Sequence, residues 1–166
     1  MPMAQSWSYV PNDTYKSPRV LIHMLADVVS KGGNLLLNIG PGPDGAWHDA
    51  AYDRLAALGE WMKVNSEAIY NTRPIAPYAE AKVRLTQAKD GAVYAIYLPA
   101  EGETKLPRYL TLSSVAPAAG ATITLVGSGR AMTWEPSGTG FMARIPDGIT
   151  PPSSHAWVFR ISRVVR

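Results

Sequence analysis

Residues Lys31–Gly45 read KGGNLLLNIGPGPDG: the run Leu35-Leu36-Leu37-Asn38-Ile39 stands between a double glycine and a Gly/Pro/Asp cluster. A short apolar run bounded by turn residues predicts a strand buried on both faces, as in a parallel sheet. Upstream, Ser17-Pro18 is a helix start. Serine accepts a first-turn N–H, and proline at the first helical position has no N–H to leave unpaired. Val20, Leu21, Met24, Leu25, Val28 and Val29 then keep the spacing of one helical face, with His23 and Asp27 on the opposite, surface side. Gly32 or Gly33 supplies the left-handed residue that stops the helix. Downstream, Gly40–Gly45 is a loop with Asp44 in a Pro-Asp-Gly turn. Asp49 caps a second helix, whose buried side is Tyr52, Leu55, Leu58, Gly59 and Met62. Helix–strand–helix is the repeating material of α/β architecture.

Past Arg73-Pro74 the period changes to two. Val83 and Leu85 alternate with Lys82, Arg84 and Thr86, and Lys89-Asp90-Gly91 is a hairpin signal leading into Val93–Leu98. Further strands are expected at Arg108–Leu112, Thr122–Val126, Ala131–Glu135, Gly140–Ile145 and Ala156–Ile161. In the last, Trp157, Phe159 and Ile161 share one face. Short strands at regular spacing with Gly/Pro turns indicate an antiparallel β-sandwich. The chain therefore divides into residues 1–73 and 74–166, with the boundary near Asn71–Pro77.

Composition bounds the function. The 166 residues are 46% hydrophobic and 17% charged, enough for a core and too little charge for a disordered tail. A net charge of +3 argues against nucleic acid as a partner; Arg160, Arg163 and Arg166 read as a solvated strand edge. The absence of cysteine excludes disulfides and thiolate chemistry without fixing the compartment. His23, His48 and His155 are too scattered to suggest a metal site. No apolar stretch approaches the roughly 18 residues that span a bilayer, so a membrane partner is not expected. Met1-Pro2-Met3 opens no signal-peptide pattern, and localisation stays open.

Several fragments carry a family resemblance in order and spacing over the first 70 or so residues. They are Ser6-Trp7-Ser8-Tyr9, the helix ending Leu25-Ala26-Asp27-Val28-Val29-Ser30-Lys31-Gly32-Gly33-Asn34, and Leu35–Pro41 with Asp44-Gly45. Leu58-Gly59-Glu60-Trp61 leading to Asn65-Ser66-Glu67-Ala68-Ile69-Tyr70 completes them. This half resembles the end of the catalytic barrel of family 29 α-L-fucosidases, whose barrel is commonly followed by a β-sandwich. The resemblance implies an α+β two-part chain: the terminal helix–strand–helix of a (β/α)8-type (TIM-like) barrel, then an antiparallel β-sandwich. It implies an intact protein that is a retaining exo-glycosidase on terminal α-L-fucose of glycoconjugates, with a fucosylated glycan as partner and no metal or cofactor. Members are usually periplasmic, secreted or lysosomal.

By the same resemblance, Leu35–Ile39 is the last barrel strand and Asn38 lies at the rim where such barrels place their sites. Asn38 either supports the rim or contacts the sugar. Trp7 lines the apolar side of the fucose pocket or forms core beneath it, and Trp47 is an outer-subsite residue. Tyr9 is packing, and Trp61 and Trp157 are core. Serines at Ser8 and Ser66 depart from the glycines frequent in the family. Retention needs a nucleophilic carboxylate and an acid/base carboxyl about 5–5.5 Å apart. The family places both before the Ser-Trp-x-Tyr motif, at positions this sequence does not contain. Asp13, Asp27, Asp44, Asp49, Asp53, Glu60 and Glu67 all have structural readings, so no catalytic residue is assigned and the chain alone is expected to be inactive. Two other readings stand beside this one. The sandwich, with Tyr109, Trp134 and Trp157, can serve as a carbohydrate-binding or interaction module. Alternatively, the chain is a subunit completed by another chain or a second copy. A single barrel strand and bare helix faces call for association, partial disorder or packing against the chain's own sandwich.

Overall fold

Helix α1 (Pro18–Ser30) begins as its sequence dictates: Ser17 Oγ accepts the Val20 N–H at 3.3 Å, and Pro18 takes the first helical position. It ends on Gly32 at φ +82°, with Gly33 N–H to Val28 O and Gly32 N–H to Val29 O, both 2.9 Å. These paired reverse bonds form a Schellman stop, and the left-handed residue is the reason for glycine there. The computed structural model that shows this describes residues 1–165; Arg166 lies outside the described residues.

The buried stripe of α1 is Ile22, Ala26 and Ser30, flanked by half-buried Leu25 and Val29, with Leu21 buried in a second cluster beside Met3 and Ala51. His23 and Asp27 are not on a free surface. His23 Nε2–H donates to the His155 carbonyl at 2.8 Å, and Arg84 Nε donates to Asp27 at 2.6 Å. Burial works to raise the Asp27 carboxyl, but the Lys31 and Arg84 donors outweigh it and hold the group below its ordinary value. Burial, by contrast, pushes the His23 imidazole down. Helix α2 (Asp49–Asn65) starts one residue from the expected cap: His48 Nδ1, not Asp49, accepts from Ala50 N–H at 3.2 Å. The buried positions are Ala51, Trp61 and Asn65, with Leu55, Leu58 and Met62 half-buried, while Tyr52 is 50% exposed and Gly59 is exposed.

Between the helices, Leu35–Ile39 forms no strand. Asn38 makes one parallel bridge to Pro2, through Asn38 N–H to Met1 O (2.8 Å) and Met3 N–H to Asn38 O (2.9 Å). Leu36 is 80% exposed, while Leu37 and Ile39 pack against the Met3 cluster. A doubly buried strand needs ladders on both edges and cover on both faces. Among the described residues only Met1–Met3 runs beside it, so the expected strand is an extended loop with one packed face.

The β half is built from β1 (Thr72–Glu80), β2 (Val83–Ala88), β3 (Val93–Tyr97), β4 (Tyr109–Leu112), β5 (Ile123–Leu125), β6 (Arg130–Ser137), β7 (Gly140–Arg144) and β8 (Trp157–Ile161). The β2–β3 hairpin closes at Lys89-Asp90-Gly91 as expected, with Gly91 at φ +87° and Asp90 accepting Ala92 N–H at 2.9 Å. The expected boundary Asn71–Pro77 instead falls largely within β1. Pro74 and Pro77 are tolerated there because β1 ends the sheet and its ladder shifts register between Pro74 and Ala79. The eight strands form one antiparallel sheet in the order β1-β2-β3-β8-β5-β6-β7-β4 rather than two separate sheets. Arg130–Met132 of β6 pairs with β5 and Thr133–Ser137 with β7, so one strand carries the sheet around a bend and folds it onto itself.

Leu85, Val93, Trp157, Phe159 and Ile161 thereby meet Leu110, Leu112, Phe141 and Ala143 between the two layers. The opposite face of β3 and β8 is also covered. Tyr94, Ile96 and Val158 contact Ile22, Ala26, Trp61 and Ile69, and Trp61 Nε1–H donates to Ala156 O at 3.0 Å. The helices thus pack one apolar side against the chain's own sheet. Arg160 is no strand edge: β8 lies between β3 and β5, and Arg160 pairs with Asp90 at 3.0 Å.

The two end strands are tied by one side chain. Glu80, closing β1, accepts from Ser113 N–H (2.8 Å) and Oγ–H (2.9 Å), and from Ser114 N–H (3.1 Å) and Oγ–H, just past β4. Burial works to raise its carboxyl, but these four donors leave it lowered. Because the folded group ionises more easily than the unfolded one, its stabilisation is complete above the unfolded glutamate value of about 4.3. It is lost as pH falls through the depressed folded value. Glu80→Gln is expected to cost on the order of 1 kcal/mol at neutral pH and to flatten the acid limb of a pH series of urea-unfolding midpoints. Superimposable acid limbs for the two proteins would contradict the assignment.

Candidate functional site

The N-terminal segment lies against the loop that separates the two helices, and its bonds are mostly backbone. Lys16 Nζ donates to Pro2 O and Ala4 O, each at 2.8 Å, and so folds residues 2–16 back on themselves. Asp13 accepts Ser6 N–H at 3.0 Å and Thr14 N–H at 2.7 Å. Burial opposes ionisation of this carboxyl, but the backbone donors prevail and its value is lowered. The turn so fixed presents Ser6–Tyr9 to Asn38, whose Nδ2–H donates to Trp7 O at 2.6 Å. Beside it the chain passes so close that a Cβ on Gly40 would sit 2.5 Å from Tyr9 N. Only glycine fits there.

This geometry brings two of the three sequence-assigned residues together. Trp7 is 63% exposed and is not a core residue of this chain, and its main-chain carbonyl is the one the Asn38 amide holds. Tyr9, 37% exposed, lies against Gly42 of the same loop. Trp47 packs instead on Tyr52 of α2, ring centres 5.5 Å apart, and His48 stacks on Tyr15 at 5.6 Å. The Asn38–Trp7 tie was not foreseen, since no sequence spacing relates an amide to a carbonyl 31 residues away.

Most carboxylates of this half are occupied structurally, while Asp49 and Asp53 stand on α2. Asp44 accepts Ala46 N–H at 3.1 Å, Asp27 is bound by Arg84 and Lys31, Glu60 pairs with Lys63, and Glu67 accepts the Tyr94 hydroxyl at 3.1 Å. A cleft of about 600 Å³ opens between the helices and residues 69–74, lined by Leu25, Val29, Leu35, Leu37, Leu58 and Met62 among others. No acidic side chain lines it. Its signal in the sequence is the pair of bare apolar helix faces.

Comparison with known proteins places both halves. A model described as α-L-fucosidase matches residues 1–67, and one described as α-L-fucosidase C-terminal domain matches residues 77–162. A tissue α-L-fucosidase of Bos taurus is 33% identical over 170 aligned positions, covering 96% of this chain and 35% of that protein. An α-L-fucosidase of Branchiostoma floridae is 34% identical, covering 97% of this chain and 37% of its own length. The chain thus spans little more than a third of these relatives. Among solved structures, that of Thermotoga maritima α-fucosidase in complex with fucose superposes with a TM-score of 0.80 at 28% identity, over 97% of this chain and 38% of that one.

The clamp makes one residue decisive. Gly40→Ala is expected to drive the Ser8–Tyr9 backbone off the loop, loosening the turn that carries Trp7. Limited proteolysis should then cut residues 5–12 faster at unchanged sheet stability; an unaltered cleavage rate would contradict the packing described.

Proposed function

Because this chain belongs to the α-L-fucosidase family, we propose that it forms the C-terminal portion of a retaining exo-glycosidase releasing terminal α-L-fucose from glycans. Within that reading, residues 1–73 close the catalytic barrel and residues 74–166 form the β domain, a division supported by the separate matches to residues 1–67 and 77–162. The observation that carries the site assignment is the Asn38 bond to the main-chain carbonyl of an exposed Trp7. An indole face suits the apolar C–H face and methyl group of a 6-deoxy sugar. Asn38, with its amide spent on Trp7 O, is a positioning residue for that ring. Trp47, held by Tyr52, flanks the leaving-group side.

Retention demands two carboxyl groups about 5–5.5 Å apart, one attacking the anomeric carbon and one protonating the departing oxygen. Asp13, Asp27, Asp44 and Glu67 are each engaged in bonds that hold the fold. We therefore assign nucleophile and acid/base to polypeptide other than these residues. The purified 166-residue chain is expected to release no p-nitrophenol from p-nitrophenyl α-L-fucoside above the buffer rate. Turnover comparable to that of an intact family member would overturn the assignment.

A further inference from the structure

The bend of the sheet leaves one face that neither the helices nor the second layer covers. In β4, β7 and β6 the residues alternate. Leu110, Leu112, Phe141 and Ala143 point into the core. Tyr109, Arg144 and Thr133 stand side by side across the three strands on the other face, and Thr111, Met142 and Glu135 form the next row. Because α1 and α2 pack on β3 and β8, this outer face lies on the far side of the folded sheet from them.

The chemistry of the grid is specific. Tyr109 is 43% exposed, and a shallow depression of about 260 Å³ is lined by Tyr109, Thr133, Trp134, Glu135, Met142 and Arg144. Trp134 forms its floor from the core side, anchored by Nε1–H to Ala121 O at 2.8 Å. Among the described residues the Arg144 guanidinium is met only by Asp147, at 3.8 Å and itself 83% exposed, so its planar donors are directed largely to solvent. Tyr109 and Thr133 thus flank the forked Arg144 donor on neighbouring strands, roughly 5 Å away, and the Glu135 carboxylate lies on the diagonal from Arg144, roughly 7–8 Å away. The charges of Arg144 and Glu135 balance, which disfavours a strongly anionic partner. Six lining residues also fall far short of the ~800 Å² per partner, about 20–30 residues a side, that a stable protein interface buries.

We propose that this face binds a pyranose unit of a neutral oligosaccharide, with the ring C–H face on Tyr109 and vicinal hydroxyls shared between Arg144 and Glu135. It is a glycan-holding site separate from the Trp7–Asn38 region, on the opposite side of the β layers. The inference rests on the fucosidase reading only for the choice of glycan to offer.

The test is an amide-resolved NMR titration of the full chain with Fuc-α1,2-Gal-β1,4-GlcNAc and with Gal-β1,4-GlcNAc. Expected are saturating shifts centred on Tyr109, Thr133 and Arg144 with either sugar, at least tenfold weaker in Tyr109→Ala and in Arg144→Ala, and unchanged in Trp7→Ala. The Arg144 variant carries the comparison if the Tyr109 variant does not fold. Shifts confined to Trp7 and Asn38 with the fucosylated sugar would overturn this site while supporting the fucose-pocket reading. No shifts on the β4–β7–β6 face by sugar concentrations on the order of 10 mM would overturn it as well. So would shifts there that follow protein concentration instead of sugar, since they would mark a second copy of the chain as the occupant.

Discussion

The structure depends on β3 and β8 being covered on both faces. One face of this strand pair carries Val93, Ala95, Trp157 and Phe159 into the space closed by β4 and β7. The other carries Tyr94, Ile96 and Val158 under the helices. Burying a large apolar side chain is worth ~1.5–3 kcal/mol relative to leaving it in water, so removing either cover exposes several such groups at once. Trp61 concentrates the helix side of this arrangement. It is 2% exposed and satisfies its indole N–H on Ala156 O, at the entrance to β8. The Asp27–Arg84 and His23–His155 bonds fix the same docking along one flank of α1.

That docking places the site. Both site loops run directly into helix starts: the N-terminal turn reaches α1 through Ser17, and Gly40–His48 reaches α2 through the His48 cap. With the helices held on the sheet, the two loops converge, and a few backbone bonds, the Asn38 amide and the close approach at Gly40 suffice to set Trp7 at the surface. The stability of a β domain is thereby converted into the position of an indole that lies far from it in sequence.

Much of this was legible from local chemistry. The Ser17-Pro18 start, the glycine stop after α1, the Asp90-Gly91 hairpin and the inward row Trp157, Phe159, Ile161 follow from turn stereochemistry and side-chain alternation. The family resemblance drawn from Ser6–Tyr9, Leu25–Pro41 and Leu58–Tyr70 agrees with what the comparisons found. What misled were features decided by tertiary partners. Leu35–Ile39 has the composition of a central strand, but a strand exists only with ladders beside it, and here a single bridge to Pro2 is present. His23 and Asp27 look solvent-facing on a helical projection, yet the loop before β8 and Arg84 of β2 reach them. The change of period placed the boundary near Asn71–Pro77, and β1 runs through most of that stretch because proline at the end of a sheet is compatible with a strand. Periodicity distinguishes strands but not sheets, so it did not reveal that β6 carries one sheet through both layers.

If the double cover of β3 and β8 is the foundation, helices and central strands must open together. Native-state hydrogen exchange reads this directly, amide by amide. The account predicts that Ile22, Ala26 and Trp61 exchange with the same opening free energy and the same urea dependence as Tyr94, Ile96 and Val158. Helix amides that exchange freely while those strand amides stay fully protected would show that the sheet stands without its helical cover, and would contradict it.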